Sequence, residues 1–327
     1  MTKRDERQVK NPRRSIAAAP YNDSRMPLLP VIPPQSVPIF SGFDYVTVDA
    51  QRRRVYAAHT ASEALLIVDA DTGSVIGQVK VGPMHGVAVD PANGHVYTGD
   101  GTSRTVSEVD PATKTVVRSA DVDGNVDAIA YDPSNGHIYA DEDDGTRIFV
   151  VDAKTMKSIG TIALPGHKPE YLSIDPKTHE VYQNISDLSE FVVIDPATLK
   201  VTKTFGTPEI KGNHPLQYDP AYGHVLIGGQ NGILAVYDTS GKLVGQTKIQ
   251  PRVDQCTLDR DSHLIACAGS GTLTVLHDTA GGAPALVAQT DVPREAHTTA
   301  IDAKTGHVWI VWSQENGDFT QSFSVKP

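Results

Sequence analysis

The chain has 327 residues, room for one large domain or two ordinary ones. Its composition is that of an ordinary globular protein, with 39% hydrophobic and 21% charged residues and a formal net charge of −10. That charge argues against a nucleic-acid partner, which needs a basic face. No apolar run approaches the roughly 20 residues of a membrane span.

In chain order, residues 1–35 are Pro-rich and basic and read as an arm preceding the folded domain. The segment lacks the apolar core of a secretory signal, and no hydrophobic stretch follows Arg13-Arg14. As written the chain reads as cytoplasmic, or as an exported protein whose signal has been removed. From residue 36 a repeat takes over. An Asp closes a short apolar run at Asp49, Asp90, Asp132, Asp175, Asp219, Asp259 and Asp302, at spacings of 40 to 44 residues. A second Asp follows nineteen or twenty residues later, at Asp69, Asp110, Asp152, Asp195, Asp238 and Asp278. The second unit shows the pattern: GVAVD (86–90), HVYTG (95–99), TVSEVD (105–110) and TVVRSADV (115–122). These runs are short and β-branched, with turn residues between them and no helical period.

Seven units of four antiparallel strands predict an all-β, seven-bladed β-propeller over residues 36–327. The seventh unit, HTTAID (297–302), HVWIVW (307–312) and FTQSFSVK (319–326), stops one strand short. SVPIFSG (36–42) is the expected closing strand, removing an open edge. The hairpins DPANGHVY (90–97), DPSNGHIY (132–139) and DPAYGHVL (219–226), with VYQN (181–184), resemble the YVTN-repeat family of β-propellers. The resemblance spans about 37–327. It implies a propeller that is most often an exported binding or scaffolding protein, with enzymes a minority.

The chemistry lies five residues before each repeat Asp. There stand Asp44, His85, Asp127, Glu170, His214, Asp254 and His297, all carboxylates or imidazoles. Asp, Glu and His are about one residue in six here, so seven matches arise by chance with probability of order 10⁻⁶, or about 10⁻⁵ to 10⁻⁴ after some twenty registers are tried. Such a ring at one channel mouth needs positive partners. A divalent metal is the compact answer, Zn first, with Fe, Mn, Ni or Cu open. His85, His214 and His297 are spread most evenly around the circle and are the expected ligands. Glu170 and Asp254, then Asp127 and Asp44, are the expected acid/base groups.

Lys168, Arg252, Arg104, His59 and His167 are expected on the same rim as substrate contacts. Lys168 and Arg252 could instead neutralise a merely solvated ring. The run Asp141-Glu142-Asp143-Asp144 reads as a solvated loop. His95, His137, His179, His224, His263 and His307 recur with the opposite turn and read as structural. Cys256 and Cys267 fall on adjacent strands, as two buried thiols or, less simply, a cross-strand disulfide. Two function classes follow. One is a metal-dependent hydrolase or lyase acting on a small molecule at the ring, or an oxidoreductase with Fe or Cu. The other is a scaffold propeller that holds a ligand or a protein partner through its rim loops.

Overall fold

The computed structural model describes residues 26–37, 42–315 and 317–325. The repeat Asp residues do the work expected of turn formers. In all seven units the side-chain oxygen accepts a hydrogen bond from the backbone N–H two residues on, from Gln51 onto Asp49 through to Lys304 onto Asp302. Each such turn reverses the chain between the first two strands of a blade.

Blade one comprises Val46–Asp49, Arg54–His59, Ala64–Asp69 and Val75–Lys80. Blades two to five repeat this meander from Met84, Val126, Pro169 and Asn213, and blade six runs from Cys256 to Asp291. Blade seven has Thr298–Asp302, His307–Gln314 and Gly317–Val325 from the C-terminal end of the chain. The chain is a seven-bladed β-propeller of four antiparallel strands per blade. Seven apolar clusters fill it, one at each interface between neighbouring blades, and they meet no common centre. A blade is apolar on both faces, so it folds only against two neighbours.

Closure corrects the sequence reading. The strand that completes blade seven is Met26–Val37, not 36–42, so the propeller takes in ten residues of the expected arm. It pairs antiparallel with the last strand from Leu28↔Val325 to Val37↔Asp318 and, through Met26↔Ala288, runs parallel to the outer strand of blade six. Blades six and seven thereby form one eight-stranded sheet. The four prolines of MPLLPVIPPQSV concealed this strand. Proline cannot donate to a ladder, but beyond Met26 and Pro27 this strand is paired on one side only, and its two register shifts flank Ile32. Residues 1–25 of the arm and 38–41 of the expected strand lie outside the described residues.

Cys256 and Cys267 sit directly opposite each other in the ladder, Cα to Cα 4.4 Å, and are joined as a disulfide rather than held as two thiols. Both are fully buried between blades five and six. Two predictions follow from closure and bridge. Ile32 is buried against the Trp309 cluster, so Ile32→Ala should cost about 2–4 kcal/mol in urea unfolding; a loss under about 0.5 kcal/mol would mean the strand does not close the ring in solution. The intact, unreduced chain should weigh two hydrogens less than the reduced chain by mass spectrometry, and equal masses would show free thiols.

Candidate functional site

Each ring residue stands at the start of an inner strand or within two residues before it. In blades two to five the pairing skips. It passes from Met84↔Asp100 to Val87↔Thr98, from Val126↔Glu142 to Ile129↔Ala140, from Pro169↔Ile185 to Leu172↔Gln183, and from Asn213↔Gly229 to Leu216↔Ile227. Two inner residues therefore oppose one, a bulge that bends the strand and re-aims a side chain. The bulged pairs begin with the ring members His85, Asp127, Glu170 and His214.

The single residues opposite the bulges are Gly99, Asp141, Asn184 and Gly228. The glycines leave room: a Cβ on Gly99 would lie 2.5 Å from Val126, and one on Gly228 would lie 2.6 Å from Pro215. The polar pair instead satisfies the freed backbone. Asp141 accepts the Ala128 N–H at 2.7 Å, and the Asn184 amide donates to the His214 carbonyl at 2.8 Å. Gln183 adds a cross-link, donating to Asp141 at 3.0 Å and to the Glu170 carbonyl at 2.8 Å.

The ring bounds a cup of about 190 Å³ lined by Asp44, Asp127, Glu170, His214, Asp254 and His297, with Phe43 and Tyr45. All seven ring side chains are half-buried. Beneath them Tyr45 and Tyr171 tilt together, ring centres 5.5 Å apart. Gln255 locks this floor: its amide bonds the N–H and carbonyl of Val46 and receives the Thr298 hydroxyl. The space left below is about 10 Å³, scarcely enough for a water. At the far mouth Arg260 reaches across to the Ile174 carbonyl at 2.8 Å. Among the described residues, Tyr45, Tyr171 and Gln255 form the floor of the cup.

The seven side chains divide into two sets. His85 Nδ1 lies 2.5 Å from Asp44 and 3.7 Å from Asp127. His214 Nε2 lies 3.2 Å from Glu170 and 3.1 Å from Asp254, and His297 Nδ1 lies 3.0 Å from the other Asp254 oxygen. Among the described residues, the set whose ligand atoms all lie within 4.8 Å of one another is Asp44, His85 and Asp127. The three imidazoles are not such a set. Each instead lies beside a carboxylate, so the structure does not bring the expected three-histidine set together.

Charge crowding shows in the protonation. Burial pushes Asp127 well above the usual carboxylate range, and Asp44, Asp141, Glu170 and Asp254 add to it. Burial likewise raises Glu170 to about 7, against the pull of His214. Asp254 goes the other way. Burial opposes its ionisation, but the His297 hydrogen bond and the His214 charge outweigh this and hold it low. Burial also disfavours the His85 and His297 imidazoliums, yet Asp44 and Asp254 respectively lift both above the ordinary value.

The expected rim contacts fare differently. Lys168 is exposed and pairs with Asp144 at 3.4 Å. Arg104, His167 and Arg252 are exposed, and none of the four lines the cup. His59 is not a rim residue: it is fully buried, 2.5 Å from Asp318 of blade seven and stacked on Phe43. Its place under the cup wall makes it part of the closure between blades one and seven.

Sequence reading missed Asp141, taken for a loop acid, and the floor of Tyr45, Tyr171 and Gln255. Asp141 is fully buried and pushed well above its usual range, chiefly by that burial. A signal existed. Nine residues after each repeat Asp stand Ala58, Gly99, Asp141, Asn184, Gly228, Ala268 and Val311. Two polar residues in an otherwise small or apolar column mark an unusual environment.

No family model matches the chain, and no curated protein does. Among solved structures, a chain of the Hydrazine Synthase of Kuenenia stuttgartiensis is similar, with TM-score 0.77 and 15% identity over 89% of this chain and 99% of that one. At that identity the likeness is one of fold.

The charge pattern gives a direct test. In the metal-free protein, histidine NMR titration should place His85 and His297 above about 6.5, and Asp44→Asn should lower His85 more than His297. Equal movement of both, or none, would show that the two sets are not separate.

Proposed function

We propose that the chain is a metal-dependent enzyme acting on a small molecule in the cup, with hydrolase or lyase chemistry favoured. The observation that carries this reading is the Asp44, His85 and Asp127 group, three side chains from consecutive blades with ligand atoms within 4.8 Å. Two carboxylates and an imidazole suit Zn, Mn or Fe(II) and leave positions for water or substrate. A metal there would polarise a substrate oxygen or lower the pKa of bound water. Iron or copper would turn the reading toward an oxidoreductase.

The rest of the ring supplies the other functions. Glu170 faces the same cup, partnered by His214, and is the group we assign to proton transfer. Asp254 holds an N–H of both His214 and His297 and orients them. The cup has the space of roughly six water molecules, which sets the scale of the substrate. We also assign kinship with the YVTN-repeat propellers, on the DP-x-x-G-H hairpins.

Elemental analysis of tagless protein, after incubation with Zn, Mn or Fe(II) salts and desalting, should find near one metal per chain. Asp44→Asn/His85→Ala should reduce it to background, while His214→Ala should retain it. Absence of metal from the wild type would overturn the enzyme reading and favour a binding propeller with a solvated ring. Loss in His214→Ala alone would restore the three-histidine centre.

A further inference from the structure

We propose that the ligand of the cup is a small primary amine, bound as its ammonium ion against Glu170 and Asp254. The reaction it undergoes rests on the metal reading above; its binding rests on the wall opposite the metal group.

Four carboxylates line the cup: Asp44, Asp127, Glu170 and Asp254. A divalent ion at the first two offsets two charges, and the His297 imidazolium, 3.0 Å from Asp254, offsets a third. The fourth, Glu170, raised to about 7 by burial, carries the remaining negative charge once ionised, on the side away from the metal. The cations expected to receive an anionic substrate do not reach it. Lys168 is exposed and paired with Asp144, and Arg104 and Arg252 stand outside the cup lining.

Hydrogen bonding points the same way. The Nε2 of His214 lies between Glu170 Oε2 and Asp254 Oδ1, and His297 Nδ1 faces Asp254 Oδ2. The wall's inner N–H groups are thus committed to its own carboxylates. Glu170 Oε1 receives no hydrogen bond from the described residues. The ligand must bring donors, and it must bring positive charge to offset what remains. An ammonium group does both through N–H bonds to carboxylate oxygens. The volume of about 190 Å³ suits a small ammonium head group within the cup.

Isothermal titration of the tagless full chain, metal-free and Zn-loaded, with methylammonium, ethanolammonium, tetramethylammonium, acetate and phosphate tests this. The primary ammonium ions should bind at least about tenfold more tightly than tetramethylammonium, which has the charge but no N–H, and more tightly than either anion. Glu170→Gln and Asp254→Asn should each weaken ammonium binding about tenfold while leaving metal content at the wild-type level. Tighter binding of acetate or phosphate, no ammonium binding, or unchanged binding in both variants would overturn the proposal. Ammonium binding without any metal uptake would sink the metal reading and leave this one standing; metal uptake without ammonium binding would do the reverse.

Discussion

Everything in this molecule depends on the pairing of Met26–Val37 with the last strand of blade seven. Each blade buries apolar side chains on both faces, so seven blades left as an open row would end in two exposed cores. The N-terminal strand joins the ends by backbone hydrogen bonds along the outer edge. Leu28 and Ile32 then enter the clusters on either side of blade seven. The buried His59 and Asp318 pair spans the same seam deeper in, between blades one and seven. Only a closed circle brings seven inner strands to a common axis, and only then do seven widely separated side chains share one cup.

Convergence has an electrostatic consequence. Side chains that would each be innocuous on a lone hairpin are forced within a few ångström of others of like charge. Protons and imidazoles absorb part of this, which is why Asp127 and Glu170 titrate high while Asp254, flanked by two histidines, titrates low. The bulges in blades two to five aim His85, Asp127, Glu170 and His214 inward, and the buried Asp141 and the Gln183 and Asn184 amides satisfy backbone groups around them.

The fold was legible because its determinants are local and repeated. An Asp that caps its own turn ahead of an apolar second strand says the same thing seven times, and four of the copies add Gly-His. The ring was legible for the same reason: register fixes which residue of each unit reaches the axis. What the repeat cannot encode is which neighbour each side chain chooses. The even spread of His85, His214 and His297 suggested a shared centre, but separation around the circle matters less than an adjacent carboxylate. His59 looked like a rim residue because its partner, Asp318, lies 259 positions away across the seam. The closing strand was obscured by four prolines, which disfavour a central strand but not an outermost one.

The way the three histidines pair with neighbouring carboxylates decides how the ring divides. A three-imidazole centre on the axis would use the ring symmetrically and leave the carboxylates as its shell. The observed division leaves one carboxylate-rich half suited to a cation and one half in which Asp254 bridges two imidazoles beside Glu170. Those halves differ electrostatically: in the first, burial and like charge hold Asp127 high, and in the second the two histidines hold Asp254 low. A ring with strict sevenfold character would not divide in this way. The departure of the sequence from its own repeat at these seven positions, where residue type changes from blade to blade while the surrounding turns do not, is what makes an asymmetric cup from a nearly symmetric fold.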